Sequence, residues 1–160
     1  MLNKLSKLSH QHKILAISSG GGHLTELIHS IKDISISRED ITYVVFKTEY
    51  TKETLKGTNH YFIIDPHISK FKYLINAIWA LLLYIRIRPT VLISTGAGIA
   101  IPMILIAKRF GCKIIFIETG ARVTSPSRTG SFVYKYSDLF IVQYEPLLKH
   151  FPNAKLGTLL

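Results

Sequence analysis

One imidazole, one carboxylate and one guanidinium stand beside glycine-rich turns in this chain, the set of groups that can hold a diphosphate and take a proton from a hydroxyl. The imidazole is His23, which closes the run Ser18-Ser-Gly-Gly-Gly-His23. The carboxylate and the guanidinium are Glu118 and Arg122 of Glu118-Thr-Gly-Ala-Arg122, and a second glycine turn runs from Thr95 through Gly96 and Gly98 to Pro102. Glycine lets the backbone turn tightly and approach a ligand closely. The free N–H groups of a helix start favour an anion or a polar sugar group. Ser19, Gly20, Gly21, Gly22, Gly96, Gly98 and Arg122 are therefore candidates for binding phosphate. His23 and Glu118 are candidates for chemistry, although a histidine here can also serve only to satisfy a backbone group at a helix start.

Elements that alternate along the chain must bring these loops together. Apolar, β-branched runs at about 14–19, 41–46, 60–64, 90–94, 113–118 and 138–143 read as strands, with residues 155–160 as a last strand or a tail. Helical periodicity appears at Leu24, Leu27, Ile28 and Ile31, and again through Ile104, Leu105 and Ala107 to Arg109, with Gly111 placed to end that helix. Shorter helices are expected around 132–136 and 145–151, and residues 47–51 read as a loop. Strand and helix in alternation predict an α/β fold, a Rossmann-like doubly wound parallel sheet, in which ligands collect at the carboxyl ends of the strands. The three loops fall on that edge. Length sets one domain, residues 13–160, behind a basic leader at 1–12.

Residues 69–88 are the most apolar part of the sequence, with Asn76 the one polar residue between Tyr73 and Ile85. The run falls short of the roughly 20 residues that span a bilayer. A helix apolar nearly all round is either deeply buried or partly immersed in lipid. Trp79, Leu82, Leu83 and Tyr84, with Lys72 and Arg86 at the flanks, are the expected membrane-contact residues.

Composition narrows the choices further. The net charge of +10 suits an anionic partner, and the 48% hydrophobic content leaves apolar surface to expose. Basic residues are scattered without an aromatic stacking platform, which argues against nucleic acid. A single cysteine, Cys112, excludes an internal disulfide framework and points to a reducing, cytoplasmic setting. No Gly-Lys-Ser/Thr follows the first glycines and no G-x-G-x-x-G is present, so neither common nucleotide motif is met. No G-x-S-x-G elbow suggests a hydrolase. The other histidines show no metal-ligand spacing, and neither a metal nor a cofactor is expected.

Taken in order, Ser18-Ser-Gly-Gly-Gly-His-Leu24, Ser94-Thr-Gly-Ala-Gly-Ile-Ala-Ile-Pro102 and Glu118-Thr-Gly-Ala-Arg-Val123 carry a resemblance that covers about residues 13–160. The chain resembles the membrane-associated, acceptor-binding subunit of the two-part UDP-GlcNAc transferase of asparagine-linked glycosylation, and more closely its bacterial relatives in capsular and exopolysaccharide synthesis. It is more distantly similar to the N-terminal half of the lipid II-forming N-acetylglucosaminyltransferase. The resemblance implies half of a GT-B glycosyltransferase, working peripherally at the cytoplasmic face of the membrane. This chain would take a polyprenyl-diphosphate-linked acceptor, and a second subunit would carry the nucleotide-sugar site. By the same resemblance His23 matches the first-loop histidine, a base or acceptor-orienting group. Gly96, Gly98 and Pro102 match the second turn, and Glu118 and Arg122 match the Glu-x-x-x-Arg after strand five. Eukaryotic members carry an N-terminal membrane anchor; none is read here, so attachment is expected to fall to the 69–88 helix, the basic surface or the partner. The family usually has bulkier residues where this chain has Thr119 and Gly120. Size points the same way, since a GT-B enzyme binds its nucleotide sugar between two such domains and 160 residues supply one.

Overall fold

The computed structural model describes residues 12–32, 34–64 and 70–158, and side chains within 70–72 are outside that description. Nearly all of the expected leader, and Asp65 and Pro66 just after the third expected strand, lie outside the described residues.

Seven parallel strands form one sheet in the order β3-β2-β1-β4-β5-β6-β7. They are β1 (Ile14–Ile17), β2 (Ile41–Phe46), β3 (Asn59–Ile63), β4 (Val91–Ser94), β5 (Lys113–Ile117), β6 (Leu139–Val142) and β7 (Lys155–Leu156). The helices are α1 (Gly22–Ile31), α2 (Glu49–Thr54), α3 (Lys70–Ile87), α4 (Ala100–Arg109) and α5 (Arg128–Val133). Ile14 pairs in register with Ile41 on one side and Val91 on the other, so β1 sits between β2 and β4. The strand order reverses direction there, and the crevice beside such a reversal is where an open α/β sheet takes ligands.

Strand alternation decides which side chain meets which layer. Ile14 and Ala16 face α1, packing with Leu27, Ile31, Ile93 and Ile117. Leu15 and Ile17 face the other layer, with Ala80, Leu83 and Ile87 of α3, Met103 and Ile104 of α4, and Val133 of α5. Phe116, fully buried, stacks on Phe140 with ring centroids 5.1 Å apart. At the amino edge Asp138 ties strands to helix: it accepts from the Ile114 N–H at 2.9 Å and pairs with Lys108 and Lys113. Desolvation works against its charge, but these donors outweigh it and hold the carboxyl down at about 2.

The expected strands are present, most of them trimmed by a residue or two at their ends. α4 begins at Ala100, earlier than its apolar period suggests, and ends with Gly111 at φ 81°. The short helix expected around 132–136 is α5 followed by a 3-10 turn at Tyr134–Tyr136, and 145–151 holds a 3-10 turn, Glu145–Lys149. One element differs in kind: residues 47–51, read as a loop, contain the start of α2. That helix has no apolar period to betray it. It forms because Thr48 and Thr51 cap each other, each hydroxyl accepting from the other's backbone N–H at 3.0 and 2.9 Å.

α3 buries only one side of the 69–88 run. Asn76, Ala80, Leu83 and Ile87 form a buried stripe of about one residue per turn, while Leu74, Ile78, Trp79, Leu82 and Ile85 stay exposed. Leu83 therefore does not join the outer face: at 4% exposure it belongs to the core against α4, whereas Trp79 and Leu82 are 49% and 53% exposed. Tyr84 is partly buried and stacks on Phe110, and Arg86 is exposed, donating from Nε to the Tyr61 hydroxyl at 2.9 Å. Lys72 lies on α3, but its side chain is outside the described residues. Among the described residues no helix is long and apolar enough to cross a membrane.

Candidate functional site

The carboxyl ends of β1, β4 and β5 are adjacent, and hydrogen bonds lock the three loops that leave them into one edge. The first loop is joined to the second twice. His23 Nδ1 lies 3.0 Å from the Thr95 carbonyl oxygen, and the Thr95 hydroxyl donates to the His23 carbonyl at 2.6 Å. Because a carbonyl can only accept, the neutral ring carries its proton on Nδ1 and leaves the Nε2 lone pair open. The first loop is joined to the third through Glu26, whose Oε1 accepts from the Thr119 hydroxyl at 3.1 Å and the Gly120 N–H at 2.8 Å.

The backbone is shaped for close approach. Gly21 precedes α1 at φ 64° and no side chain caps the helix, which leaves its leading N–H groups for an anion. Gly96 sits at φ 120°, and a Cβ there would press on the His23 ring at 3.3 Å. Ala97 holds φ 70°, a left-handed conformation that costs a residue with a Cβ about 1–2 kcal/mol. Strain of this kind persists where the surroundings over-determine it. Here the Gly96 N–H donates to Ser94 Oγ at 3.2 Å and the Tyr73 hydroxyl to the Gly98 carbonyl at 2.8 Å. The Tyr73 contact also fixes the start of α3 against the site.

The two sequence candidates for proton transfer occupy different environments. His23 has a side chain 31% exposed at the edge. Glu118 is 1% exposed and its carboxylate turns inward. Oε2 accepts from the Ser127 N–H at 3.3 Å and the Ser127 hydroxyl at 3.1 Å, and Oε1 from the Thr119 N–H at 3.3 Å. Ser127 Oγ in turn accepts from the Gly130 N–H at 2.8 Å and caps α5. Burial pushes the Glu118 carboxyl above its ordinary value, against the opposing pull of Ser127, Thr119 and Arg122. Arg122 is exposed on the third loop, with Ser19, Gly20, Gly21, Gly22 and Gly98 along the same edge. Among the described residues no group of His, Cys, Asp and Glu could hold a metal ion.

The sequence alone does not single out Glu26 or the Ser127–Gly130 pair, and it marks Thr95 only as the start of the second glycine turn, not as the partner of His23. Glu26 had a legible signal, three residues after His23 on one helical face. Ser127 and Gly130 had none, since their partner is set by the approach of α5 to the tip of β5.

Residues 65–160 match a family model described as "Oligosaccharide biosynthesis protein Alg14 like". The UDP-N-acetylglucosamine transferase subunit ALG14 of Candida albicans is 25% identical across 96% of this chain and 80% of its own length. The human subunit of that name is 23% identical across 88% of this chain and 79% of its own. Among solved structures, Acinetobacter baumannii MurG superposes with a TM-score of 0.72 at 15% identity, over 91% of this chain and 45% of that one. The UDP-N-acetylglucosamine 2-epimerase of Rickettsia bellii gives 0.70 at 14% identity, over 88% and 41%. This chain thus spans less than half the length of either solved structure, and its fold is that of the N-terminal half of a GT-B glycosyltransferase such as MurG.

Proposed function

Since the chain belongs to the Alg14-like family of oligosaccharide biosynthesis proteins, we propose that it is one subunit of a heteromeric, UDP-sugar-dependent glycosyltransferase. It binds a polyprenyl-diphosphate-linked sugar acceptor at a membrane and recruits a second subunit that carries the nucleotide-sugar site. The observation that carries this reading is the locked edge of three loops on a domain that forms half of a two-domain transferase fold. The names of its relatives, transferase subunits, support a second chain. The bacterial capsular or exopolysaccharide setting rests on the motif resemblance; these two relatives are eukaryotic.

In the proposed mechanism the acceptor hydroxyl gives its proton to His23 Nε2 as its oxygen attacks the donor sugar carbon. The bond from that carbon to UDP breaks as the new glycosidic bond forms, with inversion. The Ser19–Gly22 turn, Gly96, Gly98 and Arg122 hold the acceptor's phosphates. Glu118, turned inward onto Ser127, keeps the third loop in place.

The outer face of α3 is the proposed membrane contact. Tyr73 ties the start of this helix to the second glycine turn, and Leu74 and Ile78 on the same helix are exposed, which supports an acceptor anchored in lipid presenting its headgroup to the loops. Trp79, Leu82, Tyr84 and the Arg86 end extend that surface, and the net charge of +10 favours anionic lipid. Flotation with vesicles of anionic phospholipid tests it. The wild-type chain should float, and a Trp79→Glu, Leu82→Glu variant should bind at least about tenfold less with unchanged circular dichroism. Equal binding by that variant removes α3 from the membrane contact.

A further inference from the structure

Glu26 holds one carboxylate oxygen in use and one in reserve. Its Oε1 accepts from two donors of the third loop, the Thr119 hydroxyl and the Gly120 N–H. Its Oε2 is buried, has no hydrogen-bond partner among the described residues, and lies 3.8 Å from His23 Nδ1. A buried carboxylate oxygen without a donor is costly to keep, so an arrangement that holds it there is explained by a positive charge that comes and goes beside it. The His23 ring is the group beside it. While neutral, the ring spends its Nδ1 proton on the Thr95 carbonyl and needs nothing from Glu26. Once Nε2 has taken a proton the ring is a cation, and Oε2 already faces it.

We infer that Glu26 is a positioning residue for His23: it clamps the third loop with Oε1 so that Oε2 stands fixed as the counter-charge to the imidazolium formed during transfer. The inference rests on His23 being the proton acceptor. A charge fixed in advance where charge develops needs no reorganisation during the reaction, which is how a carboxylate beside a catalytic imidazole speeds proton transfer. Glu118 cannot take this part, because its carboxylate is committed to Ser127 and Thr119.

Glu26→Gln separates the two jobs, since its amide oxygen can still accept from Thr119 and Gly120 while the charge is gone. The measurement is steady-state transfer by the pair of subunits from a UDP-sugar to a polyprenyl-diphosphate sugar in vesicles. Glu26→Gln should lower kcat by about 10- to 100-fold, keep the acceptor KM within about threefold, and pair normally with the partner. On a His23→Ala background the same change should cost less than about twofold, because the cation it serves is no longer formed. A kcat within twofold of wild type overturns the inference, as does a loss confined to KM or one undiminished on the His23→Ala background. The His23→Ala single variant keeps the two readings apart. Full transfer by it overturns the base assignment and this inference together, whereas its inactivity beside a fully active Glu26→Gln overturns this inference alone. If Glu26→Gln does not fold, Glu26→Asp against Glu26→Asn repeats the comparison one methylene shorter. At least tenfold higher kcat for Asp is then expected, and equal rates overturn the inference.

Discussion

Replacing His23 with alanine should lower transfer by the reconstituted pair about 10²- to 10⁴-fold, the range that a positioned proton acceptor contributes. The Thr95 carbonyl fixes the Nδ1 proton, Nε2 is left as a lone pair, and the ring stands at the edge where the three loops meet. Stability should change little, because the ring is partly exposed and the backbone bond from Thr95 to the His23 carbonyl survives the substitution. Turnover and thermal unfolding measured on the same preparations separate the two effects. Full activity with unchanged pairing would take His23 out of the chemistry and favour a chain that only recruits and activates its partner.

The second large effect is on folding. Gly130→Ala should destabilise the domain by about 2–4 kcal/mol, from overpacking together with a buried carboxylate forced off its donors. A Cβ at position 130 would lie 1.9 Å from Glu118 Oε2 and 3.0 Å from Ser127 Oγ. The end of a glutamate usually swings aside cheaply, but this one is buried and holds the N–H and hydroxyl of Ser127, which it must release to move. For a domain of this size the loss corresponds to a thermal midpoint lower by roughly 5–15 °C. The same substitution on a Glu118→Ala background should cost much less, since the obstructing carboxylate is gone. Additive losses in that pair of variants would show that the strain lies elsewhere.

The strands were plain in the sequence because runs such as Ile14–Ile17 and Ile41–Phe46 combine β-branching with breaks on both sides. That the sheet is parallel is legible in the alternation of strand and helix, whereas the order of its strands is set by packing that no local run encodes. α2 was hidden because a helix of six residues with one buried side chain carries no period, and its reciprocal cap uses threonine where the usual signal is a glutamate or glutamine. Leu83 was placed on the wrong side of α3 for the opposite reason. Where almost every residue is apolar the inward stripe has no contrast, and only packing against α4 picks it out. The site divides in the same way. The glycine turns and His23 announce themselves through local spacing. That Glu118 faces inward depends on Ser127 and Gly130, nine and twelve residues further on, brought up by the packing of α5.

The central proposal is that this chain supplies one wall of an acceptor site whose other wall is on a second chain. The direct measurement is transfer from a UDP-sugar to a polyprenyl-diphosphate sugar in vesicles by each purified subunit alone and by the two together. Turnover is expected from the pair, and none above background from either chain alone. Turnover by this chain alone, undiminished when its partner is left out, would contradict that proposal.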